Sequence, residues 1–268
     1  MNDSPALPGI DTSKAHVARM YDYYLSGDNN FEADRMACLA LDKIVPGTRG
    51  LAINNRNYLV RVVGALAREY GIKQFIDIGT GLPTQNNVHQ VVGRVHDDAR
   101  VVYVDNDPIV SIHAKALMPE DDSTVFLLED VRQTAAILSH PDTHRLIDFD
   151  QPVAALYISF LHQIPDRDDP GGLVRLMMDH LAPGSFLAIS HLVSADPELR
   201  TRLTDLMLNA TQGHWGRVRT KAEVDRFFNG LEIIPPGLVE ISTWRPDDTA
   251  TEEQTYEWIE YGGVGRKG

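Results

Sequence analysis

The stretch QFIDIGTGLPT, residues 74–84, decides the fold. Its apolar first half ends in Gly79-Thr80-Gly81, which is typical of a buried parallel strand that turns sharply into a loop. Four more apolar runs follow it, separated by residues with helical spacing: ARVVYVD (99–105), TVFLLED (124–130), PVAALYIS (152–159) and SFLAISH (185–191). Because strands and helices alternate, the sequence predicts a parallel sheet with helices on both faces.

The two ends of the chain complete this prediction. LEIIPPGLVEISTW (231–244) is typical of two antiparallel strands around a Pro-Pro-Gly turn, and the last residues, YGGVGRKG (261–268), are expected to fray. The predicted fold class is α/β: a doubly wound, mostly parallel seven-stranded sheet with a C-terminal antiparallel hairpin. Residues 1–50 contain two short helical patterns and are predicted to form an N-terminal helical lid, followed by a Rossmann-like domain over residues 51–268.

The composition narrows the possible partners. The net charge is −13, and Lys and Arg are scattered singly among acids, which argues against a nucleic-acid partner. No apolar run reaches the roughly 18–20 residues of a membrane span. The chain has one cysteine, Cys38, and the N-terminus lacks a basic region followed by an apolar one, so we expect a cytoplasmic protein. No His, Cys or Asp cluster has metal-ligand spacing, so no metal is expected.

The glycine loop admits two interpretations. Gly79 and Gly81 let a ligand approach the backbone, but they could equally form an ordinary strand-to-helix turn. The fingerprint of NAD-binding proteins requires a third glycine where Thr84 stands, and no Gly-Lys-Ser/Thr follows as in a phosphate-binding P-loop. The loop alone therefore does not define a cofactor.

Polar residues at the ends of the predicted strands favour a cofactor site. Asp77 ends the first strand, and Asp105, followed by Asn106, ends the second strand 24 residues after Gly81, where an acid that binds ribose hydroxyls is expected. Asp130 and Val131 follow the third strand and could bind an adenine amino group and ring nitrogen, and Ser159 ends the fourth. Since the carboxyl ends of parallel strands lie at one edge, these residues should line one crevice.

This order of motifs resembles the class I S-adenosylmethionine-dependent methyltransferases. Closer similarity, to a bacterial family of predicted S-adenosylmethionine methyltransferases without assigned substrates, is carried by stretches across nearly the whole chain: ARMYDYYLSGDNNFEADR, NRNYL, QFIDIGTGLPT, VVYVDNDP, LHQIPD, LAPGSFLAISH and GLEIIPPGLVEISTWRP. The resemblance implies S-adenosylmethionine as cofactor, bound at Asp77, Gly79, Thr80, Gly81, Asp105 and Asp130. No Asn-Pro-Pro-Tyr-type tetrapeptide follows the fourth strand, so methylation of DNA bases or glutamine is not expected, and the acceptor is expected to be a small molecule.

Two histidines are candidates for a general base. His162 follows the fourth strand and His191 ends the fifth, and histidine suits proton transfer near neutral pH. Each could instead make a purely structural hydrogen bond. The loop TQGHWGRVR (211–219), with His214 and Trp215, could line the acceptor pocket or serve as an ordinary connector.

The stretch YDYYLSGDNN, residues 21–30, is predicted to cover the cofactor. Tyrosine faces attract cations such as a sulfonium, and polar residues nearby could bind the amino-acid end of the cofactor; the residues assigned here are Tyr21, Tyr23, Gly27, Asn29, Asn30 and, further on, Arg56. In the alternative interpretation, Tyr21 and Tyr24 only pack a short helix on the core. Two other functions also stay open: a non-catalytic S-adenosylmethionine-binding sensor and an NAD-dependent oxidoreductase.

Overall fold

Five parallel strands form the centre of the molecule. The computed structural model describes residues 11–83, 86–117, 122–248 and 259–268. The parallel strands are β1 Gln74–Ile78, β2 Arg100–Asp105, β3 Thr124–Leu128, β4 Ala154–Ile158 and β5 Phe186–Val193. They lie in the order β3-β2-β1-β4-β5, so the chain reverses its direction across the sheet between β1 and β4. Ligands bind at such a reversal point in open α/β sheets, at the carboxyl ends of the strands.

The C-terminal part of the sheet differs from the sequence prediction in detail. The remaining strands are β6 Glu232–Ile233, β7 Val239–Glu240 and β8 Ile259–Arg266. The first two do not form a hairpin with each other; each pairs antiparallel with β8, which pairs with the whole of β5. The fold class is confirmed, but the expected frayed end was wrong, because residues 261–266 lie inside an eight-stranded sheet.

The glycines of β8 explain both why this strand was expected to fray and why it fits against β5. Three of its eight residues are glycines, which weaken a strand when packing is ignored. In the structure a Cβ atom on Gly262 would lie 1.9 Å from the carbonyl oxygen of Ile189 on β5. The strand therefore approaches β5 more closely than a larger residue would allow.

Helices cover both faces of the sheet. Their bounds are α1 Val17–Tyr24, α2 Glu32–Ile44, α3 Thr48–Tyr70, α4 Val88–Val92, α5 Pro108–Leu117, α6 Thr134–Ser139, α7 Pro141–Leu146, α8 Pro170–His180, α9 Pro197–Ala210 and α10 Lys221–Asp225. One face packs against α6 to α8 through residues such as Ile137 and Met177, and the other packs against α3 and α4 through Val62 and Val91. The helix α7 was not predicted from the sequence.

The N-terminal helices share an apolar cluster with α9. This cluster contains Met20 and Tyr24 of α1, Leu41 of α2, and Leu203 and Met207 of α9, all buried. The predicted boundary after residue 50 lies inside α3, which runs from Thr48 to Tyr70. The division into two domains therefore stays a prediction. None of the helices that the structure describes has the length and apolar character needed to cross a bilayer.

Gly262→Ala tests the close approach of β8 to β5. We expect the substitution to lower the free energy of unfolding by about 1–3 kcal/mol, because the added methyl group collides with backbone that must shift. Gly268→Ala is the matched control, since a Cβ atom there meets nothing within 4 Å. Urea unfolding of the three proteins measures the effect, and equal stability of both variants would contradict the close approach.

Candidate functional site

A cavity of about 740 Å³ lies at the carboxyl edge of the sheet. Its walls come from the ends of β1 to β4, from α1 and α3, and from the loop Thr211–Trp215. Most of the residues predicted to bind a cofactor line it: Tyr21, Arg56, Asp77, Gly79, Thr80, Gly81, Asp105, Asn106, Asp130, Val131 and Ser159. The fold thus brings into one space residues that are up to 138 positions apart in the chain (159 − 21 = 138).

The glycine loop has the geometry of a ligand cradle. Gly79 and Gly81 have φ angles of 70° and 66°, in the left-handed region that favours glycine. A Cβ atom on Gly79 would lie 1.9 Å from the ring of Phe160, whereas one on Gly81 would meet nothing within 4 Å. Packing and φ therefore both require Gly79, while Gly81 leaves open space where a ligand can approach the backbone.

Asp105 ties this loop to the end of β2. Its carboxylate accepts the backbone N–H of Gly81 at 2.9 Å and that of Asp107 at 2.9 Å. Burial raises the pKa of Asp105, and these two N–H donors partly offset the shift. The carboxylate oxygens have lone pairs beyond those bonds, so they can also accept hydrogen bonds from ligand hydroxyls.

Asp77 and Arg56 place opposite charges in the lining of the cavity. Burial raises the pKa of Asp77 to about 6, although a hydrogen bond with the Thr80 side chain and the charge of Arg56 lower it. Burial also lowers the pKa of Arg56, and Tyr21 and Asp77 oppose that shift. The Arg56 guanidinium donates to Asn87 Oδ1 at 3.1 Å. A zwitterionic amino-acid group would complement this pair of charges.

Asp130, which follows β3, also lines the cavity. Its carboxylate caps the 3-10 turn Val131–Gln133 by accepting the N–H of Arg132 at 2.9 Å, and it pairs with the Arg132 guanidinium. Burial alone would raise the pKa of Asp130, but the hydrogen bonds and charge of Arg132 hold it below its ordinary value. Asp130 therefore stays ionised and can accept a hydrogen bond from an exocyclic amine.

Four residues of the predicted lid do not line the cavity. Gly27, Asn29 and Asn30 form a turn around the buried carboxylate of Asp22, which accepts the N–H of Asn29 at 2.8 Å and the Asn30 amide at 2.9 Å. The Asn30 amide also donates to the Gly27 carbonyl at 2.8 Å, and Tyr23 packs its ring on Tyr24. The contacts of these four residues lie within the N-terminal segment, so the structure gives no geometric support for their contact with a cofactor.

Tyr21 does lie at the cavity, within a hydrogen-bond network. Its hydroxyl donates to the Ala52 carbonyl at 2.9 Å and accepts the Asn55 amide at 2.9 Å. The Asn55 oxygen accepts the Ser190 hydroxyl at 2.5 Å, and Ser190 Oγ accepts the N–H of Ser159 at 2.8 Å. The network connects α1, α3, β5 and the end of β4, so it fixes the wall of the cavity on which Ser159 lies.

His162 and His191 are buried behind that wall and do not line the cavity. His191 donates from Nδ1 to the Leu192 carbonyl at 2.8 Å and accepts an Arg219 N–H at Nε2 at 3.0 Å, so both ring nitrogens are used. His162 Nδ1 accepts the N–H of Leu192 at 3.4 Å, which puts its proton on Nε2. Burial lowers the pKa of His191 to about 3, and burial followed by the charges of His191 and Arg219 lowers that of His162 well below its ordinary value.

His191 instead helps to hold Arg219 under the loop after β4. This guanidinium donates to the carbonyl oxygens of Leu161 at 2.9 Å and Ile164 at 3.0 Å, and pairs with Asp166 at 2.6 Å. Ile164 lines the cavity. The geometry therefore supports the structural interpretation of both histidines, while their assignment as bases stays a prediction.

Sequence reasoning missed two features of the site. His16, the N-cap of α1, lies on the cavity and contacts Asp107 at 3.0 Å, which joins the N-terminal segment to the loop after β2. Glu260, at the start of β8, is 1% exposed and accepts the Ser159 hydroxyl at 2.5 Å. The sequence signal for Glu260 is an acid directly before the apolar and glycine-rich segment 261–268, which was predicted to fray rather than to form a strand.

The residues present fit S-adenosylmethionine. The glycine loop leaves open space for a ligand at Gly81. The carboxylates of Asp105 and Asp130 can accept hydrogen bonds, and the Arg56 guanidinium can pair with a carboxylate. Within the described residues, no group of three or more His, Cys, Asp or Glu side chains is placed to hold a metal ion. The fold and this cavity together define a class I methyltransferase-like protein.

Comparisons with known proteins identify the family to which the chain belongs. It belongs to a family of S-adenosyl methyltransferases, whose family model matches residues 3–268. The cofactor of this family is S-adenosylmethionine, and the protein is a methyltransferase of that type. A comparison with curated proteins gives no match.

Solved structures agree with this family. A DUF574 family protein from Streptomyces avermitilis is 38% identical, with a TM-score of 0.90 over 96% of this chain and 99% of that one. A candidate methyltransferase from Thermobifida fusca is 40% identical, with a TM-score of 0.88 over 97% of each chain. The plantazolicin methyltransferase BpumL, solved with a triazolic plantazolicin analogue and S-adenosylhomocysteine, is 12% identical over 94% of this chain and 96% of that one, with a TM-score of 0.53, and shares the fold.

The pH dependence of stability tests the burial of Glu260. Burial raises its pKa from 4.5 to about 8, Ser159 lowers it, and the charge of Glu240 raises it further. Between these two pH values the folded chain keeps a proton that the unfolded chain loses, so this group makes stability fall as pH rises from 4.5 to about 8. Glu260→Gln removes that slope. We expect the variant to gain stability relative to the wild type between pH 5 and pH 9, on the order of 3–5 kcal/mol.

The matched control is Glu232→Gln, an exposed glutamate on β6. Its stability relative to the wild type should not change with pH. Urea unfolding at both pH values measures the two differences, and parallel curves for Glu260→Gln and the wild type would show that Glu260 is ionised in the folded protein at pH 5.

Proposed function

We propose that the protein transfers the methyl group of S-adenosylmethionine to a small-molecule acceptor bound in the same cavity. The observation that carries the proposal is the continuity of this cavity. It extends from the glycine loop and the strand-end acids to a wall that contains Phe160, Ile164 and Trp215. Its volume of about 740 Å³ lies within the range of about 300–1,000 Å³ found for small-molecule sites.

The strand ends would hold the donor by its polar groups. The Gly79–Gly81 backbone would lie against it, Asp105 and Asn106 would bind the ribose hydroxyls, and Asp130 with the Val131 N–H would bind the adenine. Arg56 would bind the carboxylate, and Tyr21 would present its ring near the sulfonium. Ser159 would face the reacting end, because β4 lies next to β1 in the sheet.

The protein's contribution to the chemistry is mainly positioning. When bound, the donor supplies a methyl group that its sulfonium already activates, so the residues have to align the acceptor and exclude water. The side of the cavity near Trp215 suits an apolar acceptor surface, because Trp215 is 3% exposed and its ring packs, tilted, against that of His162 with the centroids 5.0 Å apart. The predicted role of the loop Thr211–Trp215 gains support from its position in the wall.

The N-terminal segment would close this site. His16 of this segment contacts Asp107, in the loop after β2, at 3.0 Å, and Tyr21 joins the hydrogen-bond network that reaches Ser159. Both contacts hold α1 over the strand ends. An enclosed methyl group is protected from attack by water.

Asp105→Ala tests the donor site. We expect S-adenosylmethionine and S-adenosylhomocysteine to bind about 10–100-fold more weakly, because a charged acceptor of hydrogen bonds contributes about 1.5–3 kcal/mol. Isothermal titration calorimetry measures both affinities. Asp98→Asn, an exposed carboxylate before β2 that pairs with Lys73 at 2.8 Å, is the control and should bind normally. Unchanged affinity for Asp105→Ala would remove this residue from the site.

An acceptor screen tests the proposed substrate class. The purified protein is incubated with methyl-labelled S-adenosylmethionine and a cell extract that has been separated into small-molecule, protein and nucleic-acid fractions. We expect label only in the small-molecule fraction, and much less of it with Asp105→Ala at a donor concentration below the dissociation constant of that variant. Label that appears only in protein or nucleic acid would contradict a small-molecule acceptor, although it would leave methyl transfer itself intact.

A further inference from the structure

Glu260 lies directly behind the cavity and reaches it through one hydroxyl group. Ser159 lines the cavity at the end of β4, and its Oγ–H donates to Glu260 Oε1 at 2.5 Å. Ser159 has a φ angle of 52°, which is unfavourable for a residue other than glycine. Its N–H donates to both Ser190 Oγ at 2.8 Å and the Ser190 carbonyl at 3.1 Å, so the strained position is firmly held.

The topology explains why a C-terminal strand supplies this carboxyl group. The strand β8 is antiparallel to β5 and pairs Glu260 with Leu192, so its first residues lie at the carboxyl edge of the parallel strands. That edge carries the cavity. Glu260 is therefore a neighbour of the site although it follows Ser159 by 101 positions.

The described surroundings of Glu260 place no positive charge beside its carboxyl group. Among the described residues, its Oε2 atom is buried and has no hydrogen-bond partner. In the part of the chain that the structure describes, the ionisable groups that act on it are Glu240 of β7, Tyr21 of α1 and Tyr58 of α3, and none of these three is a cation. A buried carboxylate in such a place is stabilised only if a positive charge enters from elsewhere.

We propose that Glu260 is the proton-holding group of the methyl-transfer site, which releases its proton when the cationic donor binds and recovers one through Ser159 when methyl transfer removes that charge. The inference rests on the proposed function, because it requires a sulfonium in the cavity. S-Adenosylhomocysteine lacks the methyl group and the positive charge, so it gives Glu260 no reason to ionise.

The proton balance follows from the bonds that change. The acceptor atom forms a bond to the transferred carbon while the carbon–sulfur bond breaks, and the sulfur keeps the bonding electron pair. The acceptor's proton passes to Ser159 Oγ, and Ser159 gives its own proton to Glu260 Oε1. The step ends with a methylated acceptor, a neutral thioether and a neutral Glu260. It suits acceptors that lose a proton when they are methylated, such as hydroxyl groups, thiol groups or neutral amines.

Calorimetry that measures proton release on binding tests the proposed ionisation of Glu260, and it needs no methyl acceptor. The wild-type protein is titrated with S-adenosylmethionine and, separately, with S-adenosylhomocysteine, in buffers of different ionisation enthalpy. At pH 7.5 a carboxyl with a pKa of about 8 is mostly protonated. We therefore expect S-adenosylmethionine to release roughly half to three quarters of a proton and S-adenosylhomocysteine to release almost none. The release should fade above pH 9, where Glu260 is already ionised.

The variants identify the group. Glu260→Gln should bind S-adenosylmethionine without this release, and Glu232→Gln should behave as the wild type. Equal release by Glu260→Gln and the wild type, or a release centred near pH 6, would overturn the inference and point to Asp77, whose pKa is about 6. The wild-type pH profile alone decides the matter should Glu260→Gln fail to fold. If neither ligand binds the wild type, the proposed function itself fails.

Discussion

The pairing of β8 with β5 is the constraint on which the rest of the molecule depends. Without it, β5 would be an open edge of a parallel sheet, with its backbone groups unpaired. The pairing runs from Phe186 opposite Arg266 to Val193 opposite Ile259, and it needs glycine at position 262 to bring the two backbones together. It also places Glu260 beside Ser159, so the same contact that completes the sheet completes the wall of the site.

Much of the architecture could be predicted because it depends on local patterns. The five parallel strands are apolar runs that end in polar residues, and the fold brings those polar ends together at one edge whatever the details of packing. For this reason Asp77, Asp105 and Asp130 lie on the cavity as predicted, and Gly81 contacts Asp105 across 24 residues. The alternation of strands and helices in the sequence was sufficient to predict the parallel sheet and the strand ends that line the cavity.

What could not be predicted depends on contacts between distant segments. Asn29 and Asn30 are predicted to contact a ligand, but in the structure the buried carboxylate of Asp22 accepts the backbone N–H of Asn29 and the side-chain amide of Asn30. His191 is predicted from the sequence as a candidate base, and only the tertiary structure shows that Leu192 and Arg219 contact its two ring nitrogens. In the same way, three glycines in β8 suggested a loose end, while they are what lets the strand fit. A sequence shows which groups can form hydrogen bonds, and only the tertiary structure shows which of them are already satisfied.

The cavity is built from both ends of the described chain. Tyr21 of α1 belongs to its roof, and Glu260 of β8 supports the wall at Ser159, so about 240 residues separate two parts of one site (260 − 21 = 239). A growing chain on the ribosome has the glycine loop long before it has β8, and it cannot assemble a complete site until that strand has emerged. Donor binding is therefore a property of the finished fold. Any ligand that binds only this state stabilises it against unfolding by mass action, so the supply of cofactor in the cell and the persistence of the folded protein become linked quantities.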